Sequence, residues 1–373
     1  MNHLLLLLQL ALAPLSFGDT PVDLDDVVFV ANRTEPRVAV IDSSSDSVLG
    51  DVDLPFIPTQ IVALGQRRSL VAISSSENAL GSVDLYGVRP TREIYLGFEP
   101  DYLQISPDED LVAVSGTAAN LVSIFQIGGP REVHRVQGIQ APGAMVFDKT
   151  GTRLFVSHRD RAAITVVDVA TGERVQEIVL EAVGTGSGDG ISHLSRTPGG
   201  ELGFATRRES PILHIVDLAK AAAAATVTLP GPAKRSFPTA DSQYVLVPNS
   251  VDDSVSVISS WTLKESNRLP AIADATGINT ALVETVAVVL SQRENRAAIL
   301  DLRDERRVGD FALPGTPETG VTVSGGLKVY VAFGDSDQIG VIDMANGRLS
   351  KTISGVGREP WAVFNVSGLS YCH

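Results

Sequence analysis

The sequence contains a single cysteine among 373 residues. That excludes a disulfide framework and any all-cysteine metal or iron–sulfur site. Positive charge is also scarce: 30 Lys and Arg stand against 44 Asp and Glu, a net charge of −14. Nucleic acid and anionic membranes attract basic surfaces, so neither is an expected partner. Long apolar runs are confined to the first residues, and nothing later approaches the roughly 20 residues of a membrane span. HExxH, GxSxG and EF-hand patterns are missing, so no clustered-ligand metal site or serine-hydrolase elbow is visible. Turn formers, by contrast, are plentiful, with 33 Gly, 20 Pro and 44% hydrophobic residues. The composition is that of a globular, turn-rich chain long enough to bury a sizeable core.

The chain opens MNHLLLLLQLALAPLSFG. Leu4 to Leu15 is apolar except for Gln9 and too short to span a membrane. Ser16 and Gly18 supply small residues where a signal peptidase cuts. Residues 1–18 therefore read as a secretory signal, with 19–373 as the mature domain in the periplasm or outside the cell. The alternative is a buried N-terminal helix.

One pattern recurs: β-branched and apolar residues alternating into a terminal Asp. VAVID ends at Asp42, LGSVD at Asp84, ITVVD at Asp168, LHIVD at Asp217, AAILD at Asp301 and IGVID at Asp343. VSIFQ, ending at Gln126, and VSVIS, ending at Ser259, fill the two gaps. The steps between anchors are 42, 42, 42, 49, 42, 42 and 42. A fixed period near 40 residues marks a repeat architecture. Each unit holds a short strand near a Pro, a turn such as Ser106-Pro107-Asp108, and a second strand such as RLFVSH (Arg153 to His158). The anchor strand follows, and a tight turn leads to a fourth strand. Four short antiparallel strands form one blade of a β-propeller. Eight anchors predict an all-β, single eight-bladed β-propeller of four-stranded antiparallel blades, with seven blades as the alternative. The ring is closed by a C-terminal strand, Trp361 to Val366, joining the N-terminal blade, which leaves no long free edge. The anchor Asp residues are expected to accept hydrogen bonds in the turns that follow them.

The VxVID strands, the Ser106-Pro107-Asp108 turn and the FVAN-like strands ending at Asn32 and Asn249 resemble the YVTN-type β-propeller repeat. This includes its YncE-like and cytochrome d1 haem domain-like members. The resemblance covers nearly the whole mature chain and implies a fold more than a function. Relatives of this type include periplasmic or surface proteins, amine-dehydrogenase-like and lactonase-like propellers, and the eight-bladed haem d1 domain of nitrite reductase. This chain lacks CxxCH, so covalent c-type haem is not implied. It also lacks the WD dipeptide pattern of WD40 proteins.

Propeller ligands usually sit at one mouth of the central channel. The loops expected on one face carry Arg33, Arg37, Arg159, Arg161, Arg207, Arg208, Arg293, Arg296, Lys234, Arg235 and Arg358. These are eleven of the 30 basic residues, and arginine suits carboxylate or phosphate ligands. An anionic small molecule is one expected ligand. The competing reading pairs these arginines with Glu35, Asp160, Glu209 and Glu294 in the same loops. The 49-residue step places an insertion at Val183 to Gly190, including Asp189, on that face. His158 and His193 are candidate haem d1 ligands or acid–base groups; His134 and His214 are weaker ones. Cys372 and His373 end the chain and could hold a soft metal ion. The leading expectation is a secreted or periplasmic scaffold that binds a ligand or a protein. The alternatives are a haem d1-related redox protein with a periplasmic redox partner, and a surface-layer or adhesion-type protein.

Overall fold

The computed structural model describes residues 15–17, 20–86, 89–129, 131–180, 189–281 and 284–366. Eight four-stranded antiparallel sheets form a closed ring, which settles the count at eight blades. Blade 1 joins the two ends of the chain. Its innermost strand is Pro360–Phe364, followed outward by Val27–Asn32, Arg37–Asp42 and Ser47–Asp53. The inner strands of blades 2 to 5 are Gln60–Leu64, Tyr102–Ile105, Pro142–Phe147 and Ile191–Arg196. Those of blades 6 to 8 are Phe237–Pro238, Ala275–Ala281 and Pro317–Val323. Leu15–Phe17 pairs separately with Thr20–Val22. The rest of the expected signal segment, the run Val183 to Gly188, and Cys372 with His373 lie outside the described residues.

The second strand of a blade is buried on both faces, which is why it reads as an unbroken apolar run. In Val27–Asn32, Val27, Phe29 and Ala31 pack toward blade 2, while Val28 and Val30 pack toward blade 8. Eight apolar clusters result, one at each junction between neighbouring blades. Outer strands are solvated, so Ser47–Asp53 is mostly exposed and keeps only Val52 fully buried.

The anchor residues act as expected. Asp42, Asp84, Asp168, Asp217, Asp301 and Asp343 each accept backbone N–H bonds from the next turn, for example Ser44 N at 2.9 Å and Tyr86 N at 2.8 Å. Ser259 takes the same role with its hydroxyl, toward Trp261 N and Thr262 N. Just before the anchor, every blade shifts register between its third and fourth strands, as at Val40/Ile41 and Val341/Ile342. A bulge at a fixed place adds twist to each blade.

The meander divides the loops between two faces. Second-to-third loops and the connections into each inner strand share the upper face. The inner-to-second turns lie on the lower face.

Candidate functional site

Apart from Arg235, the basic residues of the upper face fall into three groups. Arg208, Arg293 and Arg358 are exposed. Arg33, Arg37, Arg159, Arg161, Lys234 and Arg296 carry acidic partners. Arg37 pairs with Glu35 and, at 2.7 Å, with Asp51; Arg161 binds Glu177 at 2.8 Å; Arg159 approaches Asp101 at 3.8 Å. Lys234 lies 3.9 Å from Asp274, and Arg296 pairs with Asp310. The expected loop pairs with Glu35 and Asp160 are present, but Arg161, Arg159 and Arg296 reach beyond their own loops for their partners. Most of this arginine is therefore partly neutralised, as exposed pairs of small net energy.

The third group is buried, which differs from the expectation that it faces ligand. Arg207 is 2% exposed; its Nη2 forms an ion pair with Asp189 Oδ2 at 3.0 Å and donates a hydrogen bond to the Asp189 carbonyl at 3.1 Å. Asp189 Oδ1 also accepts Glu209 N at 3.1 Å. The end of the inserted segment is thus pinned to the second strand of blade 5. His214 lies in the same buried cluster. Its pKa is lowered to about 4, mainly by burial and then by the Arg207 charge. His158 is fully buried as well. One ring nitrogen meets the Gln140 carbonyl at 2.5 Å, and the other meets Thr165 Oγ1 at 2.8 Å. Burial lowers its pKa. With both nitrogens engaged inside blade 4, His158 has no lone pair left for an axial metal bond. His134 bonds the Ala170 carbonyl at 3.1 Å on the outer side of blade 3.

The central channel holds a cavity of about 380 Å³, walled by the inner strands of blades 5 to 8. This size suits a small ligand. Two expected residues, His193 and Arg235, line its upper part. Glu318 joins them there. Its Oε1 accepts from Arg33 at 3.3 Å and its Oε2 from Gln292 at 3.2 Å, so blades 1, 7 and 8 meet on one carboxylate. Thr276, Asn279, Thr280, Thr319 and Thr322 supply a polar wall. Several of these tie blade to blade: Asn279 donates to the Gly320 carbonyl at 2.9 Å, and Thr322 Oγ1 to the Thr280 carbonyl at 2.8 Å. At the lower end stand Ala240, Glu284, Gly325 and Gly326. Burial raises the Glu284 pKa, and nearby Asp241 adds to the rise against hydrogen bonds from Thr280 and the Ala240 backbone. Glu318 and the threonines stand on inner strands and Glu284 in an inner-to-second turn, outside the loops that carry the arginines, so the loop pattern of the sequence does not reveal them. Polar residues in an otherwise apolar inner strand, as in Ala275–Ala281, are the signal that marks a wet channel wall.

A model of the family described as YNCE-like beta-propeller matches residues 61–369. Among solved structures, the chain resembles dihydro-heme d1 dehydrogenase NirN in complex with DHE, at 15% identity and a TM-score of 0.75. That match covers 93% of this chain and 77% of the other. It also resembles apo AztD from Citrobacter koseri, at 16% identity and a TM-score of 0.67, covering 92% and 98%. Hydrazine synthase of Kuenenia stuttgartiensis matches at 18% identity and a TM-score of 0.56, covering 77% and 96%. At these identities the likeness is one of fold. No curated protein matches the sequence.

Proposed function

The chain belongs to the YNCE-like β-propeller family, and from that premise we propose that it is an extracytoplasmic binding protein whose central channel takes a small ligand bearing an acidic group. One observation carries the reading: the 380 Å³ cavity has Arg235 and His193 on its wall, at the end that opens among the arginine loops. A guanidinium on a partly desolvated wall holds a carboxylate or phosphate more firmly than a surface pair does. The extracytoplasmic location rests on the apolar N-terminal segment, and among the described residues no helix is long and apolar enough to cross a membrane. The test is a thermal-shift and calorimetric screen of linear mono- and dicarboxylates against wild type and Arg235→Gln. Carboxylates should raise the wild-type melting temperature and lose that effect in the variant. Equal effects on both proteins would overturn the reading.

A second reading, a haem d1-related binder, draws on His193 and on the fold shared with NirN. The fit of the donor set is incomplete. His193 offers an imidazole beside Arg235, but a carboxylated macrocycle would share the cavity with Glu284 and Glu318. Among the described residues no cluster of three metal-ligating side chains is present. Titration with haem d1 decides it: a Soret band lost in His193→Ala supports the reading, and an unchanged haem spectrum rejects it.

A further inference from the structure

The lower turn between inner and second strands repeats one residue in the left-handed region. In blades 2 to 8 these are Arg68 (φ 48°), Glu109 (58°), Gly151 (71°), Gly200 (74°), Ser242 (61°), Glu284 (61°) and Gly326 (87°). At Glu109 and Ser242 this residue clasps the preceding blade. Glu109 Oε1 accepts Gly65 N at 3.1 Å, and its Oε2 accepts Gln66 N at 3.0 Å and Arg67 N at 3.1 Å. Ser242 accepts Gly199 N at 3.1 Å. Glu284 holds the same place in blade 7, where the Thr280 side chain and the Ala240 backbone of blade 6 lie close enough to favour its charged form.

The two glutamates differ in one respect. Both oxygens of Glu109 are occupied, whereas Glu284 Oε2 is buried with no hydrogen-bond partner among the described residues. Glu284 also lines the channel cavity. The rest of the lining at that end is neutral: Ala240, Thr280, Ala281, Thr322, Gly325 and Gly326. The charged neighbour is Asp241, in the lower turn of blade 6, and it is acidic. A buried carboxylate oxygen without a donor carries a desolvation cost that a donor relieves.

We infer that the lower end of the cavity recognises an amine, with Glu284 Oε2 accepting from its ammonium group. The ligand of the channel is then bipolar, with its acid toward Arg235 and its amine toward Glu284. This rests on the proposal that the Arg235 end takes an acid. The wall strand Pro317–Val323 has seven residues, about 20 Å at the rise of a β-strand, so the ligand is elongated. The raised Glu284 pKa agrees with this, because an ammonium at Oε2 favours the charged carboxylate, so binding is linked to proton release at any pH where free Glu284 holds a proton.

The experiment compares the ω-amino acids from 4-aminobutanoate to 12-aminododecanoate with the fatty acids of matching length. Binding to the full chain is followed by calorimetry in buffers of differing ionisation enthalpy. At the best length the amino acid should bind more tightly than its matched acid and release protons. Glu284→Gln keeps the size of the side chain and one of its oxygens. It should weaken the amino acid by at least about tenfold, leave the matched acid unchanged and abolish proton release. If acids bind and the amine adds nothing, or if Glu284→Gln weakens both probes alike, the amine assignment is overturned while the acid reading stands. If neither class binds wild type, both readings fall.

Discussion

Phe364 stacks on Phe29, with ring centroids 5.6 Å apart and planes 23° from parallel. The two residues lie at opposite ends of the chain and face each other across adjacent strands of blade 1. Stacking of this kind contributes about 0.5–1.5 kcal/mol beyond the area that the rings bury. Lys328 and Tyr330 of blade 8 add polar contacts to the same region: both donate to Asp46 of blade 1, Lys328 at 2.8 Å.

Phe364→Ala should destabilise the fold by about 3–5 kcal/mol, the usual range for emptying a buried aromatic site. Urea unfolding followed by circular dichroism measures it. A loss under about 1 kcal/mol would show that closure does not depend on this contact.

Arg207→Ala leaves Asp189 buried without its cation and should cost about 3–5 kcal/mol. The double variant Arg207→Met with Asp189→Leu should recover most of that loss, since apolar replacement of a whole buried pair is often neutral. The melting temperatures of the single and double variants decide it. Equal losses in both would contradict a structural ion pair.

His214 titrates near 4 in the folded protein, against about 6.5 unfolded. The unfolded chain therefore binds the extra proton between these values. The contribution of His214 is complete above pH 6.5 and is lost as pH falls toward 4, up to about 3 kcal/mol. His214→Phe should flatten the stability profile in that window. A His214 proton resonance that shifts around pH 6.5 in the folded state would refute the assignment.

Asp42, Asp168, Asp217, Asp301 and Asp343 have lowered pKa values. Hydrogen bonds from their turns hold the charged form, against burial at Asp42 and with the Lys220 ammonium as the largest contributor at Asp217. Their stabilisation is present above the unfolded value near 4 and is lost as pH falls through the folded values. Acid unfolding should therefore be steep below pH 4. Asp343→Ala should be more destabilising than Asp343→Asn, which keeps an acceptor for Ala345 N and Asn346 N. The reverse order would contradict the turn role.

The ring was legible because its period is carried by residues whose physical role repeats. Ser259 breaks the Asp pattern but keeps an oxygen at the right place, so the period survives. The burial of His158 and Arg207 was not read, although the repeat encodes it. The last residues of the second strands are Asn32, Ser74, Gly116, His158, Arg207, Asn249, Ser291 and Phe333, and all eight are buried. Viewed singly, His158 and Arg207 look like loop residues beside other arginines. Viewed as the fourth and fifth members of that column, they are interior. Glu284 was hidden for a different reason. Its sequence neighbours show a turn, and only the curvature of the ring brings that turn to the channel.

The pairing of Pro360–Phe364 with Val27–Asn32 also sets an order on biosynthesis. As the chain leaves the ribosome, blades 2 to 8 have all of their strands in succession, but Val27–Asn32 waits with its inner edge open until the final strand emerges. Contacts of such sequence separation form slowly, and an unpaired strand edge can join the wrong partner in the meantime. An interrupted translation product thus differs from the finished protein in kind: it is an arc whose first blade keeps an unpaired inner edge.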